Sequence, residues 1–483
     1  MTIEQTIYNH ALSQPEKTAV VCGAQRITYG ALWQGIVSAK DYFVHMPDYA
    51  KGKCVIMAAN KQIEFLFAYF GAHLAGLVVA PVDVEINPTR LTYIQNKISS
   101  ITHVGLEKKV EEGKSIPLST FAVELAEILA PSSVSFANET SVADVLFTTG
   151  TTGEPKCVPL TYGNEYAAAC NINAYIGNTA DDKELLALPI SHSFGLGRVR
   201  CCLMTGQTIY MLNSFTNVKR FYRVIEEEGI TGFGMVPASW KYLEKMSGNR
   251  LSDYANQLRY VEMGSAYLSV SDKAHLAHVL PNTKIAMHYG LTEASRSTFL
   301  EFHDTEHLSS VGKPSPNTDI KIFDAQGNEV GIGKEGEICI KGAHVTKGYW
   351  NADNSTTFIG EYFRTGDFGS KDAGGYVTLK SRIKELINVG GKKVAPAEVE
   401  EQLLKIKGIK DCACVPMSDP DGVLGEVVKA FVVLDSDSQL TEEYIRMSLM
   451  GKIEGYKQPV SYAFVESIPR TDNGKIKRLE LIQ

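Results

Sequence analysis

Asp144 to Leu160 reads DVLFTTGTTGEPKCVPL. Val145-Leu146-Phe147 is a short apolar run that suits a buried strand. The chain then turns polar through Thr148, Thr149, Gly150, Thr151, Thr152, Gly153, Glu154, Pro155 and Lys156. Gly150 and Gly153 let a backbone approach an anion closely and turn its N–H groups inward. Four threonine hydroxyls add short-reach donors, and Lys156 adds a full positive charge. Such a loop has the means to hold a polyphosphate. It is not the loop spelled G-x-x-x-x-G-K-[ST], because Cys157 follows the lysine. A surface turn rich in glycine and threonine is the bland alternative.

Around this loop, 483 residues exceed what one hydrophobic core serves, so two or more domains are expected. The fractions of hydrophobic (44%) and charged (21%) residues fit an ordinary globular enzyme. A net charge of -7 argues against a nucleic-acid binder. The nine cysteines show no zinc spacing, Cys201-Cys202 and Cys412/Cys414 included, and read as reduced thiols of a cytoplasmic protein. The start of the chain, MTIEQTIYNHALSQPEKTAV, lacks a basic-then-apolar signal. Ile63 to Val79 comes nearest to a membrane span, but it holds Glu64 and His73 and runs into Pro81. It reads as a buried helix leading into a strand, so no transmembrane segment is expected. Helix–hairpin–helix signals fill the first 50 or so residues, with Thr28 a helix cap. Strands and helices then alternate to about residue 300. That alternation predicts an α/β fold with mostly parallel sheets.

Three later patches carry polar groups at strand ends. LLALPISHSFGLG (Leu185 to Gly197) places His192 in a loop of small residues. A lone histidine is usually a satisfied polar group, but the strand-end position also suits the lining of a cleft. YVEMGSAYL (Tyr260 to Leu268) and KIAMHYGLTE (Lys284 to Glu293) each read as a strand running into small residues. In the second, Tyr289 offers a flat ring and Gly290 gives access to the backbone. Thr292 supplies a hydroxyl, and Glu293 a carboxylate able to hold magnesium. Residues from about 318 to 380 turn β-rich, and Asp367 sits there in RTGD, either as a turn former or as an acceptor for a ribose diol. The last hundred residues read as a small α+β domain. They end in PRTDNGKIKR, where Lys475 follows Asn473-Gly474.

Taken together, TTGTTGEPK, HYGLTE, YFRTGD, SRIKELINVGGKKVAPAEVE and PRTDNGKIKR resemble the adenylate-forming superfamily of acyl-CoA and aryl-CoA ligases, luciferases and peptide-synthetase adenylation domains. The blocks stand in that family's order along nearly the whole chain. The resemblance implies a large N-terminal domain, 1–382, and a mobile C-terminal domain, 383–483. It implies two half-reactions: a carboxylate attacks the α-phosphate of ATP to give acyl-AMP and pyrophosphate, and a thiol then takes the acyl group and releases AMP. ATP, Mg²⁺ and coenzyme A are the implied cofactors, with carrier-protein phosphopantetheine the alternative acceptor and an acyl carrier protein then a partner. By the same resemblance Lys475 is the catalytic lysine, Glu293 the metal ligand and Thr292 a phosphate contact beside the loop Thr148–Lys156. Tyr289 stacks on adenine, with Gly264, Ser265, Ala266 and Gly290 along the base, and Asp367 and Arg382 hold the ribose. His192 lies beside the acyl carboxylate, Lys384 is the hinge, and Gly390-Gly391 form the thiol-side face.

Departures from the family pattern are Cys157, Asn388 and His288. His288 replaces a small residue before Tyr-Gly, and Arg296 follows it. Together with His192 these are the expected acyl-pocket residues, and they predict a short or polar acyl group, with a second anionic or hydroxyl function. A non-catalytic nucleotide-binding protein is the reading from another class; Lys475, Glu293 and Asp367 together speak against it.

Overall fold

The computed structural model describes residues 1–106, 113–123, 134–148, 155–470 and 476–482. The chain divides into two compact units. One runs up to Asp319 and takes in Ile340–Phe358; the other holds Ile320–Cys339 and the chain from Ile359 on.

Among the described residues, the first unit contains two sheets. In the nine-stranded sheet, six strands are parallel neighbours in the order Lys284–Tyr289, Tyr260–Met263, Gly232–Met235, Lys183–Leu186, Thr208–Met211 and Thr18–Cys22. Antiparallel strands close both edges: Gln25–Thr28 on one, Thr298–Glu301 and Lys313–Pro314 on the other. The six-stranded sheet runs Lys114–Ile116, Thr102–Val104, Cys54–Ala58, Val78–Val82, Val142–Phe147 and Cys157–Thr161. Only its last pair is antiparallel. The α/β class with mostly parallel sheets is therefore as the alternation implied. Parallel strands need crossovers, and helices supply them.

The main core joins side chains of both sheets, such as Leu186, Val20, Val55 and Val79, to helices Tyr29–Val44, Ile63–Leu74 and Ser193–Thr205 through Trp33, Phe65, Phe70 and Leu203. Each large apolar side chain buried this way contributes roughly 1.5–3 kcal/mol. Further cores pack against the larger sheet, around Phe221, Phe233 and Trp240, and against the smaller sheet, around Ile94 and Val145. Ile63–Leu74 is the buried helix expected there, and the strand Val78–Val82 follows it. No helix among the described residues is long and apolar enough to cross a membrane.

Helix ends follow local chemistry. Thr161 caps Tyr162–Ile176 through a reciprocal box with Asn164, and Gly177 ends that helix at φ +79°.

A five-stranded sheet, most of whose residues belong to the second unit, is built from Thr318–Phe323, Glu335–Gly342, Tyr362–Lys371, Phe358–Ile359 and Val377–Arg382. The C-terminal part packs helices Pro396–Leu404 and Glu442–Leu449 on the strands Ile409–Ser418, Glu426–Leu434 and Ser461–Phe464, around Val399, Leu403, Val428 and Ile445. A hairpin joins Ile387–Val389 to Lys392–Val394. Its turn residues, Gly390 and Gly391, sit at φ +54° and +84°, a pair of values that glycine adopts without strain.

Candidate active site

The strand Val142–Phe147 leads into the glycine–threonine loop, and Cys157–Thr161 leads out of it. The pairing Phe147↔Cys157 makes the segment a hairpin connection. At its neck, the Thr148 N–H donates to the Lys156 carbonyl at 3.0 Å, and the Lys156 N–H donates to Thr148 Oγ1 at 3.2 Å. Thr149, Gly150, Thr151, Thr152 and Gly153 lie outside the described residues. The Lys156 ammonium lies 4.2 Å from the ring centroid of Tyr349 and donates to its Oη at 3.0 Å. Tyr349 in turn donates to Glu293 Oε1 at 2.8 Å. One phenol thus links the loop lysine to the expected metal-binding carboxylate. Tyr349 was not among the residues singled out above; an aromatic in KGYW gives no local sign of this role.

Glu293 is buried just past the strand Lys284–Tyr289, at the end of the turn Gly290–Ala294. Leu291 and Ala294 bond each other's backbone, and a Cβ on Gly290 would lie 2.4 Å from the Arg296 nitrogen. Glycine is therefore required where the strand turns to present Thr292 and Glu293. Tyr289 closes the strand opposite Thr298, largely buried. Gly264, Ser265 and Ala266 follow the neighbouring strand Tyr260–Met263, with Ser265 at φ +73°. A Cβ on Gly264 would meet His288 Nε2 at 2.1 Å, so the imidazole lies directly against that backbone.

His288 and Arg296 share one partner. His288 Nδ1 is 2.7 Å from Glu262 Oε1, and Arg296 Nε donates to the same oxygen at 3.0 Å. Arg296 also donates to the carbonyls of Ser193 and Phe194, each at 2.9 Å, and is 2% exposed. Its guanidinium therefore fastens the start of helix Ser193–Thr205 to the sheet. A Cβ on Gly197 would lie 2.5 Å from Arg296 Nη1, and one on Gly195 2.2 Å from the Pro189 carbonyl. Those contacts explain the small residues after His192. Burial, then the neighbouring cations, lowers the His288 pKa against the pull of Glu262. His192 itself is the exposed N-cap of the helix.

Two buried ionic groups radiate from this helix. Arg198 binds Glu184 with Nε at 2.7 Å and reaches Glu262 at 3.2 Å. Arg200, two residues on and so on the opposite side of the helix, pairs with Asp144 and lies 2.9 Å from Glu165. Asp144 also takes His73, whose other nitrogen is 2.8 Å from Glu4. Burial opposes a charge on His73, but Asp144 and Glu4 outweigh it and push its pKa up to about 10. One helix thus ties strands of both sheets.

In the second unit, Asp367 and Arg382 stand opposite each other in paired strands, with Arg382 Nε 2.9 Å from Asp367 Oδ1. Gly366, at φ +70°, turns the backbone ahead of the aspartate. Lys384 is exposed in the short turn Ile383–Glu385 just beyond. Lys475 lies outside the described residues. On either side of it, Arg470 pairs with Ile476, and Arg478 binds Glu400 and, at 3.1 Å, Glu385. Arg478 is a second residue the sequence reading missed.

Magnesium characteristically takes one or two carboxylates together with phosphate oxygens and water. Glu293, steadied by Tyr349, fits such a role. No cluster of three ligating side chains occurs among the described residues, and this mode of binding requires none.

A family model described as AMP-binding enzyme matches residues 7–350, and one described as AMP-binding enzyme C-terminal domain matches residues 398–475. The 2-succinylbenzoate–CoA ligase of Bacillus cereus (strain AH820) is 28% identical over 492 residues, covering 100% of this chain and 98% of the relative. That of Staphylococcus aureus (strain MRSA252) is 33% identical over 348 residues, covering 71% and 67%. Among solved structures, ATP-bound MatB from Rhodopseudomonas palustris superposes with a TM-score of 0.88 at 24% identity, covering 100% of this chain and 98% of that one.

Proposed function

Because the chain belongs to the AMP-binding enzyme family, we propose that it joins a short or polar carboxylic acid to coenzyme A at the expense of ATP. It is an AMP-forming acid–thiol ligase that uses ATP, Mg²⁺ and coenzyme A. The first half-reaction brings two anions together and spreads charge over the phosphorus oxygens, so the site must supply positive charge and fixed placement. Lys156 and the loop it closes bind the phosphates. Glu293 would hold Mg²⁺, which draws charge off the phosphate oxygens when bound. Tyr289, Gly264, Ser265, Ala266 and Gly290 receive the base, and Asp367 and Arg382 the ribose. Lys475 bridges the acid and the α-phosphate, and Thr292 steadies a phosphate oxygen. His192 faces the acid's carboxylate.

For the second half-reaction, residues 383–483 turn about Lys384. That removes Lys475 and offers the Gly390-Gly391 turn to the incoming thiol. The Lys156–Tyr349–Glu293 chain carries this reading, because it joins a phosphate-binding cation to a buried carboxylate through a single hydroxyl. Pyrophosphate release with a panel of carboxylic acids tests it, followed by exchange of coenzyme A for a carrier-protein pantetheine. Release that needs no acid, or none at all, would remove the assignment. Thioester formation only on the carrier protein would move the acceptor.

A further inference from the structure

A cavity in the first unit borders, through Thr292, the residues assigned to the phosphates. It lies between helices Tyr162–Ile176 and Ser193–Thr205 and the turn that carries Thr292, Ser295 and Arg296. Ser193, next to His192, and Thr292, next to Glu293, both line it. The cavity therefore adjoins the place where the acid is activated.

Its wall includes Glu165, Arg200 and His344, which are 4%, 5% and 1% exposed. Each carries a polar atom without a hydrogen-bond partner among the described residues: Glu165 Oε1, Arg200 Nε and His344 Nδ1. Glu165 Oε1 is 2.9 Å from Arg200 Nη2, a charge contact without bonding geometry. A buried polar atom left unpaired costs about 1–3 kcal/mol. Arg200 Nε and His344 Nδ1 have neither a hydrogen bond nor an ion-pair contact, Glu165 Oε1 has only the contact to Arg200, and the residues that carry all three line one cavity, which suits a polar occupant. The room for the centre of a water-sized group is about 20 Å³, and one such group needs roughly 10–15 Å³.

Charge decides what kind of group it is. Arg200 already sits on Asp144, and Arg296 on Glu262. Burial raises the Glu165 carboxyl well above the usual range against the pull of Arg200, and lowers His344 to about 4, so the imidazole supplies no positive charge near pH 7. A carboxylate entering here would find no unmatched cation.

On the ligase reading above, we propose that Glu165, Arg200 and His344 form the far end of the acyl site and recognise one neutral, hydroxyl-sized polar group on a short acid, in preference to a second carboxylate.

The test uses the full chain with ATP, Mg²⁺ and coenzyme A. Short acids of equal chain length ending in methyl, hydroxyl or carboxylate are compared by kcat/KM from pyrophosphate release. The hydroxy acid should exceed both others by at least about tenfold. Glu165→Leu should bring that ratio close to one, whereas Glu165→Gln, neutral and able to hydrogen-bond, should keep it. A trapped water that merely fills the cavity predicts no preference for the hydroxy acid, and that result overturns the proposal. So does a preference for the diacid, or a ratio that survives Glu165→Leu. The wild-type comparison alone decides the matter if Glu165→Leu does not fold. If no acid of any kind supports release, the ligase reading falls, and this proposal with it; turnover without the hydroxyl preference removes this proposal alone.

Discussion

Tyr349→Phe removes one oxygen and leaves the ring on which Lys156 rests. The oxygen makes two contacts to charged groups: it donates to Glu293 at 2.8 Å and accepts from the Lys156 ammonium at 3.0 Å. Glu293 is buried, so losing a donor there is not made good by bulk water. A hydrogen bond to a charged group is worth about 1.5–3 kcal/mol. Lys156 is solvated and adds little. If the contact to Glu293 is fully present when charge develops on the phosphates, kcat/KM for ATP should fall roughly 10- to 100-fold. The assay is pyrophosphate release across ATP and Mg²⁺ concentrations, with thermal unfolding as the control for folding. A double-mutant cycle with Lys156→Met separates the bridge from its ends: the phenol couples the two charges, so the combined loss should be smaller than the sum of the single losses. A Tyr349→Phe enzyme within twofold of wild type, at limiting Mg²⁺ as well as at saturation, would refute the reasoning.

Lys475→Ala should abolish acyl-AMP formation while sparing thioester formation from supplied acyl-AMP; equal loss in the two assays would contradict its role. Lys384→Pro should hinder rotation, so pyrophosphate release should survive better than acyl-CoA production, which coupled assays on one preparation can read. Asp367→Ala should weaken ATP binding by calorimetry with little change in stability, because it removes the buried member of the pair and leaves Arg382, 38% exposed, within reach of water. The raised pKa of His73 gives a signed pH dependence. Its stabilising charge is fully present below its ordinary value of 6.5 and is lost as pH rises towards about 10. Melting temperatures should therefore fall over that window by more in wild type than in His73→Gln.

The sheet class and the loop–strand–turn positions could be read from the chain because each depends on a few adjacent residues. Gly290 illustrates this: the turn that requires it is local, and its neighbours Thr292 and Glu293 travel with it. Residues whose meaning lies in a distant partner were not legible. Arg296 and His288 read as walls of an acyl pocket. That both reach Glu262, a residue that as sequence is only one acidic position in a strand, could not be read there. Glu4, which nothing in its neighbours singles out, proves to be the buried partner of His73. Tyr349 stands 56 residues from Glu293 and 193 from Lys156, beyond the reach of any periodicity or spacing argument.

Helix Ser193–Thr205 has a practical implication for anyone wishing to redirect the enzyme to a new acid. Arg198, Arg200 and the Arg296 that clasps its first turn are rivets, and pulling one would strand a carboxylate in the interior at about 3–5 kcal/mol. Ala168, Ser193 and Ser295 line the same chamber without carrying those charges. Libraries confined to these small side chains should remodel selectivity while keeping the protein expressible, whereas randomising the arginines should mostly return insoluble clones.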